Sequence, residues 1–205
     1  MIKVLTTIGV LMLSLSAIAQ NAEEEDRPNI GGQIFLPSIE IGYLSNSANS
    51  LSGGVITKTS IEYRVRNNND VFFRINYDNY NANYTLTSDN SLTNIITGTA
   101  AFTDLLFGAG YRFGDNQFRY FIMLQSGLKY YKFPEFVQNS TVINIEQRKR
   151  NIFSTRITLG LEYYINEKSA ISFDLLQSQV WKERDFWSNS GSAIGFSIGF
   201  ITALY

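Results

Sequence analysis

Apolar and polar residues alternate with a period of two along most of the chain. In residues 105–124, LLFGAGYRFGDNQFRYFIML, Phe107 and Tyr111 share one parity, and Gly108 and Arg112 share the other. Successive side chains of a β-strand point to opposite faces, so this pattern predicts two strands that each have one apolar face. The turn between them is expected at Asp115-Asn116, because Asp and Asn tolerate left-handed turn conformations.

Eight segments show this alternation. Their apolar parities run from Phe35 to Tyr43, Val55 to Val65, Val71 to Tyr77, Phe107 to Phe113, Phe118 to Leu124, Phe153 to Tyr163, Ile171 to Leu175 and Ile194 to Leu204. Tight turns are expected after the second, fourth and sixth strands, at residues 68–70, 115–116 and 166–168. Long polar loops are expected after the first, third, fifth and seventh strands, at residues 45–54, 79–91, 133–150 and 182–191. The short and long connections therefore lie at opposite ends of an antiparallel up-and-down sheet.

A soluble barrel and a membrane barrel share this alternation, and three features favour the membrane. The strands run to about 10–16 residues, whereas soluble strands average about 5–6 and membrane-crossing strands need about 9–11. The polar parity is rich in Gly, Ser and balanced charges, which suits a crowded lumen. Aromatic residues gather at strand ends, as interfacial girdles do: Tyr63, Tyr111, Phe113, Phe118, Tyr120 and Tyr163 near the turns, and Tyr43, Tyr77, Tyr130 and Trp181 near the loops. The prediction is all-β: an eight-stranded antiparallel up-and-down transmembrane β-barrel over residues 34–205.

The first 33 residues are predicted to lie outside this domain. Residues 1–19 have a positive start at Lys3, an apolar stretch from Val4 to Leu15 and small residues before Gln20, which is the pattern of a secretory signal peptide. The alternative, a short membrane anchor, would require a longer apolar stretch. Residues 20–33 include EEED and are interpreted as a flexible acidic leader, with a charged binding tail as the alternative.

The signal peptide, the eight strands and the opposition of short turns and long loops resemble the small bacterial outer-membrane barrels of the OmpA and OmpX kind. This resemblance implies a monomer in the bacterial outer membrane with periplasmic turns and cell-surface loops. It also implies contact with outer-membrane lipid and lipopolysaccharide, and insertion by the barrel-assembly machinery. The Asn-rich loops and the Ala-Gln cleavage site additionally resemble Bacteroidota proteins.

Two residues depart from that pattern. Pro37 lies early in the first strand and lacks the N–H that the ladder requires, so we expect either a bulge there or a strand that begins at Ser38. Outer-membrane barrels usually end in an aromatic residue on the lipid-facing parity. Tyr205 is the last residue, but Leu204 continues the apolar parity. Either the strand bulges near its end or Tyr205 serves as a loose version of the assembly signal.

The chain contains no His and no Cys. This composition excludes nucleophilic triads and metal sites that use imidazole or thiolate, and the known enzymatic outer-membrane barrels use His. We therefore expect no enzymatic activity, no cofactor and no metal. A formal net charge of -1 gives no basis for nucleic-acid binding.

Charged residues on the inward parity are predicted to form a network in the lumen. Its expected members are Glu40, Glu62, Arg64, Arg74, Asp104, Arg112, Arg119, Arg156, Glu162 and Asp174. The assumed turn lengths place Arg112 opposite Arg119 and Arg64 opposite Arg74, so carboxylates must intervene. The main interpretation is a structural plug; a carboxylate pair acting as general acid and base is the alternative.

Function is therefore expected in the extracellular loops. The candidate interaction residues are Tyr80, Tyr84, Phe136, Arg148, Lys149, Arg150, Phe186 and Trp187. One interpretation assigns the aromatic residues to the outer girdle and the basic run to lipopolysaccharide phosphates. The other is adhesion or docking of an unknown extracellular partner. The sequence thus predicts a porin-like barrel with a filled lumen and a structural or surface-interaction role, or alternatively a narrow small-solute or ion channel.

Overall fold

The computed structural model describes residues 33–48, 50–65, 68–87, 95–115, 117–139, 142–181, 186 and 190–204. The signal peptide, almost all of the acidic leader, Trp187 and Tyr205 lie outside this set. Eight antiparallel strands are present: β1 (Ile34–Asn46), β2 (Gly54–Val65), β3 (Asn68–Thr87), β4 (Ile95–Gly114), β5 (Phe118–Asn139), β6 (Val142–Asn166), β7 (Ser169–Trp181) and β8 (Ser190–Leu204). They follow one another around a closed barrel, in which β8 pairs with β1. The predicted fold class is confirmed.

The barrel is apolar outside and polar inside. Leu124 and Ile194 are 62% and 64% exposed, whereas Glu62 and Arg74 are completely buried. The alternation therefore directs the apolar parity outward, which is the inverse of a soluble barrel and is favourable only when the exterior contacts lipid. In the described part of the chain, no helix has the length and apolarity to cross a membrane.

Both predicted aromatic girdles lie on this outer surface. At the end that carries the tight turns, the turn end, the outward aromatic residues are Tyr63, Tyr111, Phe113, Phe118, Tyr120 and Tyr163. At the opposite end, the loop end, they are Tyr43, Tyr77, Tyr130 and Trp181. Most of them are exposed, and Phe113 and Tyr130 are half-buried.

β1 contains the expected irregularity at proline. Its pairing with β8 shifts by one residue between Pro37 and Ile39, which accommodates the missing N–H. Because of this extra residue, the residues of β1 before Pro37 face the opposite side of the sheet from the one predicted. Phe35 was predicted to face outward, but it is fully buried in the lumen and Ile34 faces out instead. Leu204 at the end of β8 faces outward.

The two predicted arginine pairs are wrong, because both turns differ in length from the assumed ones. Residues 66–67 connect β2 to β3, with an irregularity before Val65, so Glu62 pairs with Arg74. Between β4 and β5, the Asp115 carboxylate accepts hydrogen bonds from the backbone N–H groups of Gln117 and Phe118. This connection is longer than the predicted two-residue turn, so Gly114 rather than Arg112 lies opposite Arg119. In both hairpins the register places a residue other than arginine opposite each arginine.

Two of the predicted loops are largely strand. β3 continues to Thr87, and β5 and β6 pair without interruption as far as Asn139 and Val142. The pairing of β4 with β5 ends at Ala101 and Lys132, although β4 continues to Ile95 in its pairing with β3. Residues 133–150 therefore form a hairpin extension that is not paired with β4. Both faces of such a hairpin can be hydrated, and polar residues therefore do not interrupt it. This explains why its composition suggested a loop.

Candidate functional site: the filled lumen and the loop end

Glu62 is the centre of a buried charge cluster in the turn half of the lumen. Its carboxylate accepts hydrogen bonds from Arg64 Nε at 2.7 Å, Arg74 Nε at 2.9 Å and Arg112 Nη2 at 2.8 Å. Arg112 Nη2 also donates to Glu162, at 2.8 Å. These five side chains are at most 1% exposed. Because three guanidinium groups share two carboxylates, removal of either carboxylate leaves buried cations without compensation.

Aromatic rings surround these arginines. The Arg112 guanidinium lies 4.4 Å from the centre of the Phe72 ring, and that of Arg64 lies 3.4 Å from the centre of the Phe35 ring. Phe72 also makes an edge-to-face contact with Phe121, with 5.6 Å between ring centres. Cation–π contacts of this kind stabilise desolvated guanidinium groups. The rings and the ion pairs together fill this half of the barrel.

A second charge cluster contains Lys58, Glu40 and Asp174. Lys58 Nζ is hydrogen-bonded to Glu40 Oε2 and, at 2.7 Å, to Asp174 Oδ2. It also lies 3.0 Å from Ser197 Oγ. Arg74 Nη1 lies 4.0 Å from Asp174 Oδ2, which connects this cluster to the one around Glu62.

A third charge cluster lies nearer the loop end. Arg156 donates to Asp78 through Nη1 and to Asp104 Oδ2 through Nη2, the latter at 2.8 Å. Lys129 Nζ lies 2.7 Å from Asp104 Oδ1, and Tyr80 packs against the same ammonium group. All five side chains are buried.

The structure brings most of the predicted lumen residues into ion pairs. The members that do so are Glu40, Glu62, Arg64, Arg74, Asp104, Arg112, Arg156, Glu162 and Asp174. Arg119 instead donates to the Asp115 carbonyl at 3.4 Å and lies over the Tyr164 ring. Lys58, Asp78 and Lys129 were omitted from the predicted network, although their inward parity would have included them.

An aromatic plug closes the loop end of the lumen above the charge clusters. Its largest side chains are Tyr80, Tyr84, Phe102, Tyr131, Phe133 and Phe186. Phe186 comes from the β7–β8 connection and lies 5.4–6.0 Å, between ring centres, from four of the others. The Ser50 hydroxyl donates to the Phe186 carbonyl at 2.9 Å and so ties two connections together.

This plug corrects three predicted surface contacts. Tyr80, Tyr84 and Phe186 were expected to contact a partner from the loops, but they are only 3%, 3% and 6% exposed. Tyr80 and Tyr84 are buried because β3 extends into the predicted loop and keeps its even-numbered side chains on the inward face. Phe186 is buried because its ring packs against the plug. The Phe136 side chain and Trp187 lie outside the described residues.

The predicted basic run is exposed on the hairpin extension, and the strand register divides it between two faces. Arg148 and Arg150 pair with Phe133 and Tyr131, whose side chains face the lumen. Lys149 pairs with Lys132 on the outward face, where both side chains are exposed. The two arginines thus lie above the mouth of the barrel, and the two lysines lie on its lipid-facing side.

The chemistry of the lumen is that of a closed filling. Apolar and aromatic side chains enclose the charge clusters at both ends of the lumen. At the turn end these side chains are Phe35, Tyr164, Ala170 and Ile201. Among the described residues, no group of three or more potential ligands is arranged to hold a metal ion. The carboxylates of the charge clusters all contact Lys or Arg rather than a substrate-sized cleft. The charged side chains of the described lumen are therefore occupied by contacts with one another.

Comparison with known proteins identifies relatives by fold alone. No family model and no curated protein matches the sequence. The Neisserial surface protein A (NspA) has a TM-score of 0.57 and 13% identity, with 84% of this chain and 97% of NspA covered. The outer membrane protein OprG from Pseudomonas aeruginosa has a TM-score of 0.56 and 10% identity, with 88% and 100% covered. The expected Bacteroidota origin gains no support from these neighbours. The chain has the fold of the eight-stranded outer-membrane β-barrels.

Proposed function

We propose that this protein is a non-enzymatic bacterial outer-membrane barrel with a non-conducting lumen, which acts at the cell surface through the β5–β6 hairpin extension. The single observation that carries the proposal is the continuous filling of the lumen. Three charge clusters lie between an aromatic plug and a second apolar layer. An interior of eight strands is just wide enough for such a filling, so the lumen has no remaining function in transport.

Among the described parts of the loop end, the hairpin extension is the best suited to contact another molecule. Beyond Lys132 it is not paired with β4, and it carries exposed Arg148, Lys149 and Arg150. We expect the barrel to be a monomer that is inserted by the barrel-assembly machinery, with its turn end in the periplasm. The partner of the extension is then an anionic surface ligand.

Planar-bilayer recording tests the closed lumen. The folded protein is expected to give no stable openings, because ion passage would require both ends and all the charge clusters to rearrange. Steady conductance on the nanosiemens scale would contradict the proposal and favour the narrow-channel alternative.

Truncation tests the surface role. Replacing residues 136–145 by a two-residue turn shortens the hairpin extension and leaves its barrel-proximal part in place. We expect the barrel still to fold, as shown by heat-dependent gel migration, and cells to lose surface binding. The matched control shortens the β3–β4 connection, between Thr87 and Ile95 at the same end of the barrel. If both variants retain every surface phenotype, the extension is not the functional element.

A further inference from the structure

The outward face of β5 and β6 carries two lysines at the same height. Lys132 and Lys149 are cross-strand partners, and both are exposed. On β5, Leu128 and Tyr130 precede Lys132 on the same parity, and Leu128 is 55% exposed to the lipid side. The lysine pair therefore continues the lipid-facing rows of the barrel rather than its interior.

The lysines lie directly above the loop-end aromatic girdle. Lys132 Nζ is 5.9 Å from the centre of the Tyr130 ring, and Phe153 and Trp181 are exposed on neighbouring outward positions. Two residues of a strand span about 6.6 Å, so the ammonium groups lie one step beyond the rings that mark the membrane interface. This is the level of lipid headgroups.

Two like charges placed directly opposite each other destabilise an isolated strand pair. An oxyanion between them would remove this repulsion and accept hydrogen bonds from both ammonium groups. The basic residues Arg148 and Arg150 lie on the inner face of the same hairpin. The two lysines thus lie on a face of the hairpin that is separate from the face of the two arginines.

We propose that Lys132 and Lys149 bind a phosphate group of lipid A, the membrane anchor of lipopolysaccharide, in the outer leaflet. This assignment rests on the outer-membrane location and orientation given under Proposed function. It names phosphate as the recognised group and Lys132 and Lys149 as its ligands, with Tyr130 and Phe153 contacting the acyl region below.

Lipid A binding by the folded full-length protein in detergent micelles tests this site. The probes are bis-phosphorylated lipid A and the same lipid after enzymatic dephosphorylation, and bound lipid is counted by native mass spectrometry. For Lys132→Gln/Lys149→Gln we expect apparent affinity for the phosphorylated lipid to fall about ten- to thirtyfold, because each cation near a membrane surface contributes about 1 kcal/mol. The dephosphorylated lipid should bind the variant and the original protein equally.

The matched control is Arg148→Gln/Arg150→Gln, which removes the same charge from the inner face of the same hairpin. It should retain lipid A affinity, as should the charge-preserving Lys132→Arg/Lys149→Arg variant. Heat-dependent gel migration confirms that each variant is folded.

Three results would overturn the assignment: unchanged affinity in the lysine variant, an equal loss in the arginine variant, or indifference of the original protein to dephosphorylation. The first result would leave the lysines only the role of preventing edge-to-edge pairing where β5 is no longer paired with β4, beyond Lys132. None of these results bears on conductance or on the truncation of residues 136–145, so failure here is distinguishable from failure of the proposed function.

Discussion

Replacement of Glu62 by Gln should strongly destabilise the barrel. Gln has nearly the same size but no charge, and its amide NH₂ would face guanidinium groups that can only donate. Glu62 is fully buried and accepts hydrogen bonds from Arg64, Arg74 and Arg112. Removal of one partner from a buried ion cluster typically costs about 3–5 kcal/mol, and we expect a loss in the free energy of unfolding within this range.

Urea unfolding in phospholipid vesicles measures this loss, with tryptophan fluorescence and gel migration as independent probes. The control is Glu167→Gln, which removes an exposed carboxylate from the β6–β7 turn and should change stability by less than about 0.5 kcal/mol. In the double variant Glu62→Gln/Arg112→Gln, the two losses should fall short of additivity by about 0.5–3 kcal/mol, because the second change removes a cation that the first left uncompensated. A loss below about 1 kcal/mol for Glu62→Gln, or strict additivity, would refute the view that these ion pairs support one another.

Three further substitutions test the packing inside and outside the barrel by the same unfolding assay. In Gly160→Ala, the new β-carbon would overlap the Phe121 ring, so a loss of about 1–3 kcal/mol is expected; recovery in combination with Phe121→Leu would support that cause, and no recovery would contradict it. Leu124→Arg, in the middle of the lipid-facing surface, should cost about 2–4 kcal/mol, whereas Ala101→Arg near the loop-end interface should cost at most about 1 kcal/mol; equal costs would argue against a bilayer at this height. Phe186→Ala removes the centre of the aromatic plug and should cost about 3 kcal/mol while conductance stays absent, because the charge clusters beneath remain; stable openings in this variant would show that the plug alone closes the lumen.

The amino-acid sequence is sufficient to predict the strand number, the end of the barrel at which each connection lies and the facing of most strand residues. These properties follow from local rules: side chains alternate along a strand, and lipid requires one parity to be apolar. An irregularity at Pro37 was one of two predicted outcomes, because a closed barrel offers no free edge for a residue without an N–H; the structure has the irregularity, and β1 begins at Ile34 rather than Ser38. The inward parity likewise predicted most of the lumen charges, including Glu62 and Arg112.

Which charges meet, and where the strands end, depends on the tertiary structure. A difference of one or two residues in a turn moves every cross-strand partner, so Arg74 lies opposite Glu62 and not Arg64. The one-residue shift in β1 directs Phe35 into the lumen against the Arg64 guanidinium. The extension of β3 turns predicted surface tyrosines into an internal plug, and uninterrupted pairing of β5 with β6 separates Lys149 from its two arginine neighbours. Such outcomes depend on register and closure, which arise from contacts between distant parts of the chain.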